Sequence, residues 1–260
     1  MLRGLYTSAI GMGIQQKRLD AASNNLANAD TGAFRRDVVV TQSFSDVLAL
    51  RVRDYEMRGF NVVGNMNLGP MSMGVTINTV HRDFAMGQLN PTGSAFDLAL
   101  SDMGFFTVNH INSNGEETLM YTRNGTFTIS TDGFLVTLDG FDVLDAGGNA
   151  IQLPHGEMIV HPNGQITVDG ANVATLGLAN FESLADMRPF GLNFYTAIEE
   201  AVPVAFTGMV MQGVQESSNV NVVQEMVNMI AISRAYEANA RMVSIQDETL
   251  QQAVNNLARV

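Results

Sequence analysis

Residues 221–257 read NVVQEMVNMIAISRAYEANARMVSIQDETLQQAVNNL, a run with neither Gly nor Pro. Nothing in it breaks a helix. Asn221 stands ahead of it as a side-chain cap, with Gln224 three residues on in a variant of the capping box. Steps of three and four then reach Val222, Met226, Met229, Ser233, Tyr236, Ala240, Val243, Asp247, Leu250, Val254 and Leu257, of which nine of eleven are apolar. A narrow stripe on so long a helix predicts a seam against another helix rather than a broad core face. Near its start Val223, Val227 and Ile230 widen the stripe, which suits more than one neighbour there.

The other end of the chain carries a similar signal. Positions 2, 5, 9, 12, 16, 19, 23 and 26 hold Leu, Leu, Ala, Met, Gln, Leu, Ser and Leu, six of eight apolar in the same rhythm. The pattern stops in Asn24-Asn25-Leu26-Ala27-Asn28-Ala29-Asp30-Thr31-Gly32, where Asn and Asp side chains compete for backbone hydrogen bonds. Two seamed helices at opposite ends predict that the termini meet in a helical layer of their own.

Between the ends lies hairpin punctuation. Asn114-Gly115, Asn124-Gly125, Asp132-Gly133, Asp139-Gly140, Gly147-Gly148, Asn163-Gly164 and Asp169-Gly170 are dipeptides suited to tight turns. Short apolar or alternating runs fill the gaps: 126–130, 134–138, 141–144, 158–160, 165–168 and 173–179. This spacing predicts an antiparallel meander, sandwich or barrel. Residues 33–80 read as an extended connector, with Val38–Val40 extended and Asp46–Arg53 compatible with a short helix. The expected fold class is therefore α+β. Paired, coiled-coil-like helices (1–32 and 216–260) accompany the connector (33–80) and an antiparallel β-rich domain (81–215).

Composition narrows the function. The net charge is -12. Nucleic acid demands Lys and Arg, so it is not an expected partner, and the same charge disfavours anionic membrane. The charge is uneven: residues 1–82 hold 9 Lys/Arg against 6 Asp/Glu, and residues 83–216 hold 2 against 16. Near-neutral ends fit mutual packing, and an acidic middle fits solvent. There is no Cys, which removes thiol catalysis and thiolate metal sites. No apolar run is long enough to cross a bilayer. Met1–Ser8 lacks the apolar core of a secretory signal.

Nothing in the sequence has the form of an active site. His81, His110, His155 and His161 lack zinc-ligand spacing, and Asp139, Asp142 and Asp145 match no calcium loop. Glu116-Glu117 and Glu199-Glu200 are adjacent pairs, which do not face each other as an acid and base would. No phosphate loop or nucleophile elbow occurs. Neither cofactor nor metal is expected. A wall-acting glycan hydrolase would need two facing carboxylates, and a calcium-dependent adhesin would melt differently with the ion.

Taken in order, four segments resemble flagellar basal-body rod and hook proteins. The first is Ser23 to Arg36, with Asn24, Asn25, Leu26, Ala27, Asn28, Thr31 and Phe34 as its motif. Gly32-Ala33 stands where that family usually has any residue followed by Gly. The second and third are Phe96–Phe106 and Tyr121–Phe127 in the β-rich middle. The fourth runs from Glu216 through Ser218, Asn219, Val220 and Asn221 to Arg234, Ala235, Tyr236 and Glu237.

The resemblance implies a structural, non-enzymatic subunit. Its terminal helices line the inner tube of a helical homopolymer, with the β-domain outside. Leu5, Met12, Leu19 and Leu26 would form one assembly seam, and Met226, Met229, Tyr236, Val243, Leu250 and Leu257 the other. It also implies export, unfolded and without a cleaved signal, through the flagellar type III apparatus. The expected site is the basal body, beside other rod and hook proteins and ring proteins. Length favours a rod over a hook member, with the distal-rod type ahead of its proximal paralogue.

Overall fold

The computed structural model describes residues 2–43, 47–51, 66–71, 74–111, 117–184, 187–198 and 201–257, with side chains described for 4–43, 74–111, 117–184, 187–198 and 201–255. The chain divides into two compact units. The first comprises Met1–Leu26, Asp37–Arg82 and Val222–Val260, and the second Ala27–Arg36 and Asp83–Asn221. The first unit holds 10 Lys/Arg and 9 Asp/Glu, and the second 4 and 17. The first unit is therefore nearly neutral at +1, and the chain's net negative charge comes from the second unit at -13.

The first unit contains both helices, α1 (Leu2–Ala27) and α2 (Val222–Leu257). They run antiparallel: a Cβ built on Gly4 would lie 2.4 Å from Gln246 Nε2, and one on Gly11 2.9 Å from Asn239 Nδ2. Asp37–Ser43 pairs antiparallel with Val75–Arg82, with a register shift after Val40. Arg18 donates from Nη2 to Thr41 Oγ1 (3.3 Å), tying α1 to this strand pair. Arg82 meets Asp37 at 3.0 Å. Val47–Arg51 pairs with Met66–Met71 as strands, which corrects the helical reading of Asp46–Arg53 over these five residues; Asp46, Val52 and Arg53 lie outside the described residues. Val47, Leu48 and Leu50 suit either state locally, and cross-strand pairing decides between them.

The second unit is built on a long antiparallel sheet. Its strand order is Met187–Phe190, Phe194–Ala197, Glu117–Thr122, Phe105–Ile111, Asp142–Val143, Leu135–Thr137 and Phe127–Ile129. Leu178–Phe181 pairs with the start of Phe105–Ile111 on one side and with Pro203–Ala205 on the other. A three-stranded sheet, Met158–Val160, Gln165–Val168 and Ala171–Thr175, packs its inward residues into the same core. The run 173–179, read as one strand, breaks after Thr175 and resumes at Leu178.

Alternation explains which side chains are inside. Met158, Val160, Ile166 and Val168 are buried, while Ile159 between them is exposed. They join Leu98, Leu100, Phe106, Val108, Met120, Leu135 and Ile151 in the main core. Each such side chain contributes about 1.5–3 kcal/mol when fully buried. A smaller aromatic cluster gathers Phe105, Tyr121, Phe181 and Tyr195.

Two of the expected turn dipeptides behave differently. Asp169 and Gly170 both have positive φ (50° and 83°), the pair of angles that a type I′ hairpin requires. Asn124-Gly125 makes no such turn. Gly125 is needed for close approach, because a Cβ there would lie 1.7 Å from the Leu98 carbonyl oxygen.

Candidate functional site

On α1, Leu5, Met12, Leu19 and Leu26 are half-buried, while Ile14, Ala22 and Asn25 lie deeper. On α2, Met229, Val243 and Leu250 are half-buried and Tyr236 is 36% exposed. The Leu257 side chain lies outside the described ones. A separate apolar face opens outward at the start of α2: Val223 is 71% exposed, Met226 48%, Val227 55% and Ile230 56%. Further along the helix Met242 and Ile245 are also exposed. Arg234 and Glu237 are exposed and Ala235 is half-buried; Glu237 stands 4.0 Å from Arg241 in an open i,i+4 pair.

The Asn-rich block acts through its side-chain amides. Asn25 is buried and treats Asp37 as a strand neighbour would. Its Nδ2 donates to the Asp37 carbonyl (2.9 Å) and its Oδ1 accepts the Asp37 N–H (2.8 Å). Asn24 and Ala27 face outward. Asn28 is buried, its carbonyl accepting the Thr31 N–H (3.2 Å) and its Oδ1 the Thr31 hydroxyl (3.3 Å). The chain then turns through Ala33 at φ 55°, a left-handed conformation costing about 1 kcal/mol for a residue with a Cβ. Gly32 takes the more crowded place, where a Cβ would lie 2.6 Å from Gln215 Nε2. Phe34 follows with no exposed surface.

The Ser-Asn-Val-Asn segment meets this turn inside the second unit. Ala33 N–H donates to the Glu216 carbonyl (2.8 Å) and Asn219 N–H to the Phe34 carbonyl (3.3 Å). Asn219 Oδ1 accepts the Arg36 N–H (2.9 Å), and its Nδ2 donates to the carbonyls of Asp83 (2.8 Å) and Ala85 (3.0 Å). Ser218 Oγ accepts the Val220 N–H (3.2 Å), and Asn221 stands just ahead of α2. One amide thus holds two distant passes of the chain together.

Beneath these contacts lies an ionic cluster that sequence reasoning did not single out. Glu216 is buried, with one carboxylate oxygen 2.7 Å from Arg35 Nη2 and the other 2.7 Å from Arg123 Nε. Gly87 N–H adds a third donor at 2.8 Å. Arg123 also donates to the carbonyls of Leu100, Asp102 and Gly104. Burial lowers the Arg123 guanidinium from its ordinary value, against the pull of Glu216. For Glu216, burial pushes the carboxyl up, but Arg35 and Arg123 together outweigh it and hold it below the usual range. The signal was Glu216 beside Ser218 and Asn219; its partners are too far away in sequence for periodicity to find.

Close packing at this latch yields a direct prediction. A Cβ on Gly87 would sit 1.9 Å from the Ser217 carbonyl oxygen. Gly87→Ala therefore displaces the N–H that Glu216 accepts. It is expected to destabilise the β-rich unit by about 1–3 kcal/mol, read as a lower calorimetric melting temperature.

Among the described residues no three His, Cys, Asp or Glu side chains gather as metal ligands. A cavity of about 600 Å³ is lined by Thr107, Tyr121, Asp145, Leu176 and Phe206, among others. Asp145, its carboxylate, accepts the N–H groups of Asn149 and Gly147 (both 2.8 Å), and these bonds hold it below the usual range.

Three family profiles match parts of the chain: flagella basal body rod protein over residues 5–35, the flagellar hook protein FlgE/F/G D1 domain over 99–168, and the flagellar basal body rod FlgEFG protein C-terminal region over 211–257. Flagellar basal-body rod protein FlgG of Buchnera aphidicola subsp. Baizongia pistaciae is 31% identical, over 96% of this chain and 98% of that protein. The chain belongs to the flagellar basal-body rod and hook protein family. Among further members of this rod and hook family, FlgG of Bacillus subtilis is 30% identical over 98% of this chain and 99% of its own length. FlgF of Caulobacter vibrioides is 32% identical, with both chains fully covered. Two of the family profiles end inside the latch and α2, the segments described above.

Proposed function

We propose that this protein is a structural, non-catalytic subunit of the bacterial flagellar basal-body rod. It polymerises with its own copies into a helical tube that transmits torque and carries the export channel. The observation that carries this reading is the open apolar face on α2, Val223, Met226, Val227 and Ile230, on a chain of the rod and hook family. Contacts that do not close into a ring generate such a filament, and close-packed interfaces make it stiff. Among the described residues no helix is long and apolar enough to cross a membrane. Assembly beside other rod and hook proteins and ring proteins is part of the proposal. Delivery through the flagellar type III apparatus, to a site in the basal body, belongs to the same proposal.

The distal-rod type, FlgG, is the first reading, since FlgG relatives from several organisms align along nearly the whole chain. The proximal-rod type, FlgF, is the second, favoured by 34% identity to FlgF of Rhizobium meliloti over 99% of this chain. Expression in strains lacking one or the other separates them, because motility returns only where the missing subunit is replaced. The rod reading itself is tested by electron microscopy of concentrated purified protein. Tubes are expected from the native chain and none from Met229→Glu, which sets a carboxylate on the half-buried side of α2. A native chain that stays monomeric under all assembly conditions, or a Met229→Glu chain that still forms tubes, sinks the model.

A further inference from the structure

The contact between α1 and α2 recurs after seven residues on each helix: Gly4 faces Gln246, and Gly11 faces Asn239. Continued along the helices, the same antiparallel register sets Asn25 opposite Glu225. These are the two most buried polar side chains of the helical segments in this unit, at 2% and 5% exposure. On α2 the column 225, 232, 239, 246 and 253 is buried or half-buried throughout. Its residues are Glu, Ile, Asn, Gln and Ala, so most of it is not apolar. The apolar seam residues Met229, Val243 and Leu250 flank this column.

We propose that this heptad-spaced polar column is the register key of the terminal helices. Gly4 and Gly11 would seat the amides of Gln246 and Asn239, and Asn25 would face Glu225. Apolar seams tolerate slips of one heptad, because Leu, Met and Val fill one another's places with little change. A buried polar residue does not tolerate a slip, since only one alignment gives it a compatible neighbour, and it specifies register at some cost in stability. The glycines add a steric condition: a side chain at either place collides with the amide now seated there. Gln246 Oε1 is buried with no hydrogen-bond partner among the described residues, so what seats the amide here is the close approach of Gly4. The inference concerns the chain's own helices and stands whether or not the chain polymerises.

The chain has no native Cys, so introduced pairs report register directly under the distance limits of a disulfide. Gly4→Cys with Gln246→Cys, and Gly11→Cys with Asn239→Cys, are expected to cross-link within one monomer under mild oxidation. Gly4→Cys with Ala253→Cys, one heptad out, is expected not to. Adding Asn239→Leu and Glu225→Leu is expected to let the out-of-register pair cross-link, while circular dichroism shows helix content and melting retained. Two results overturn the proposal: in-register pairs that fail to link while the offset pair links, or leucine variants that keep the original register alone. A leucine chain that loses its helices leaves the decision to the first comparison, which uses an otherwise native chain.

Discussion

Glu216→Ala is expected to destabilise the β-rich unit more than any other single substitution in the latch. The carboxylate is buried between Arg35 and Arg123 at 2.7 Å each. Removing it leaves two buried guanidinium groups with no counter-charge, and breaking a buried pair in this way costs about 3–5 kcal/mol. For a unit of this size each kcal/mol moves the midpoint by about 2–4 °C, so a drop of roughly 10 °C is the expected calorimetric result. Glu216→Gln keeps the shape and loses the charge, and is expected to fall in between. An unchanged melting temperature in both variants would show that the cluster contributes nothing net.

Acid provides an independent reading of the same group. The folded carboxyl is held below its ordinary value by the two arginines, so the unfolded state takes up its proton at higher pH than the folded state does. Its contribution to stability is complete above the ordinary range, about pH 4.3, and disappears as pH falls through the lowered folded value. The native protein should therefore lose stability on acidification, and Glu216→Gln should lack that part of the loss. Parallel acid limbs in the two proteins would place the pH dependence elsewhere.

Ile230→Glu is expected to abolish assembly while leaving the monomer unchanged. Ile230 is 56% exposed, and exposed substitutions away from special features usually cost within about 0.5 kcal/mol. Inside a closed apolar seam the same carboxylate would be buried without a partner, at about 3–5 kcal/mol for each interface. Every 1.4 kcal/mol is about tenfold in affinity, so the critical concentration should rise by about a hundredfold or more. Sedimentation of polymer and melting of monomer, measured on the same preparation, separate the two effects. Normal tubes from Ile230→Glu would move the assembly face off this part of α2.

Some of the molecule was legible because its signals are local. The three-four rhythm of α2 and the Asn-rich stop of α1 depend on neighbours within a few turns, and both helices form where expected. Asp169-Gly170 closes its hairpin because its two residues have the needed angles. The acidic middle follows from composition, whatever the topology. Other features were decided only when distant segments met. Val47–Arg51 became a strand because Met66–Met71 pairs with it, and Gly125 matters because the backbone at Leu98 passes against it. Which of the α2 residues face α1 was also hidden. Periodicity weighs apolar residues, whereas the observed contact runs through Gly4, Gly11, Asn239 and Gln246. The latch is the extreme case: Arg35, Arg123 and Glu216 lie far apart in the chain, and no local pattern joins them. Only the fold removes them from water together, and burial is what converts three ordinary charges into a structural element.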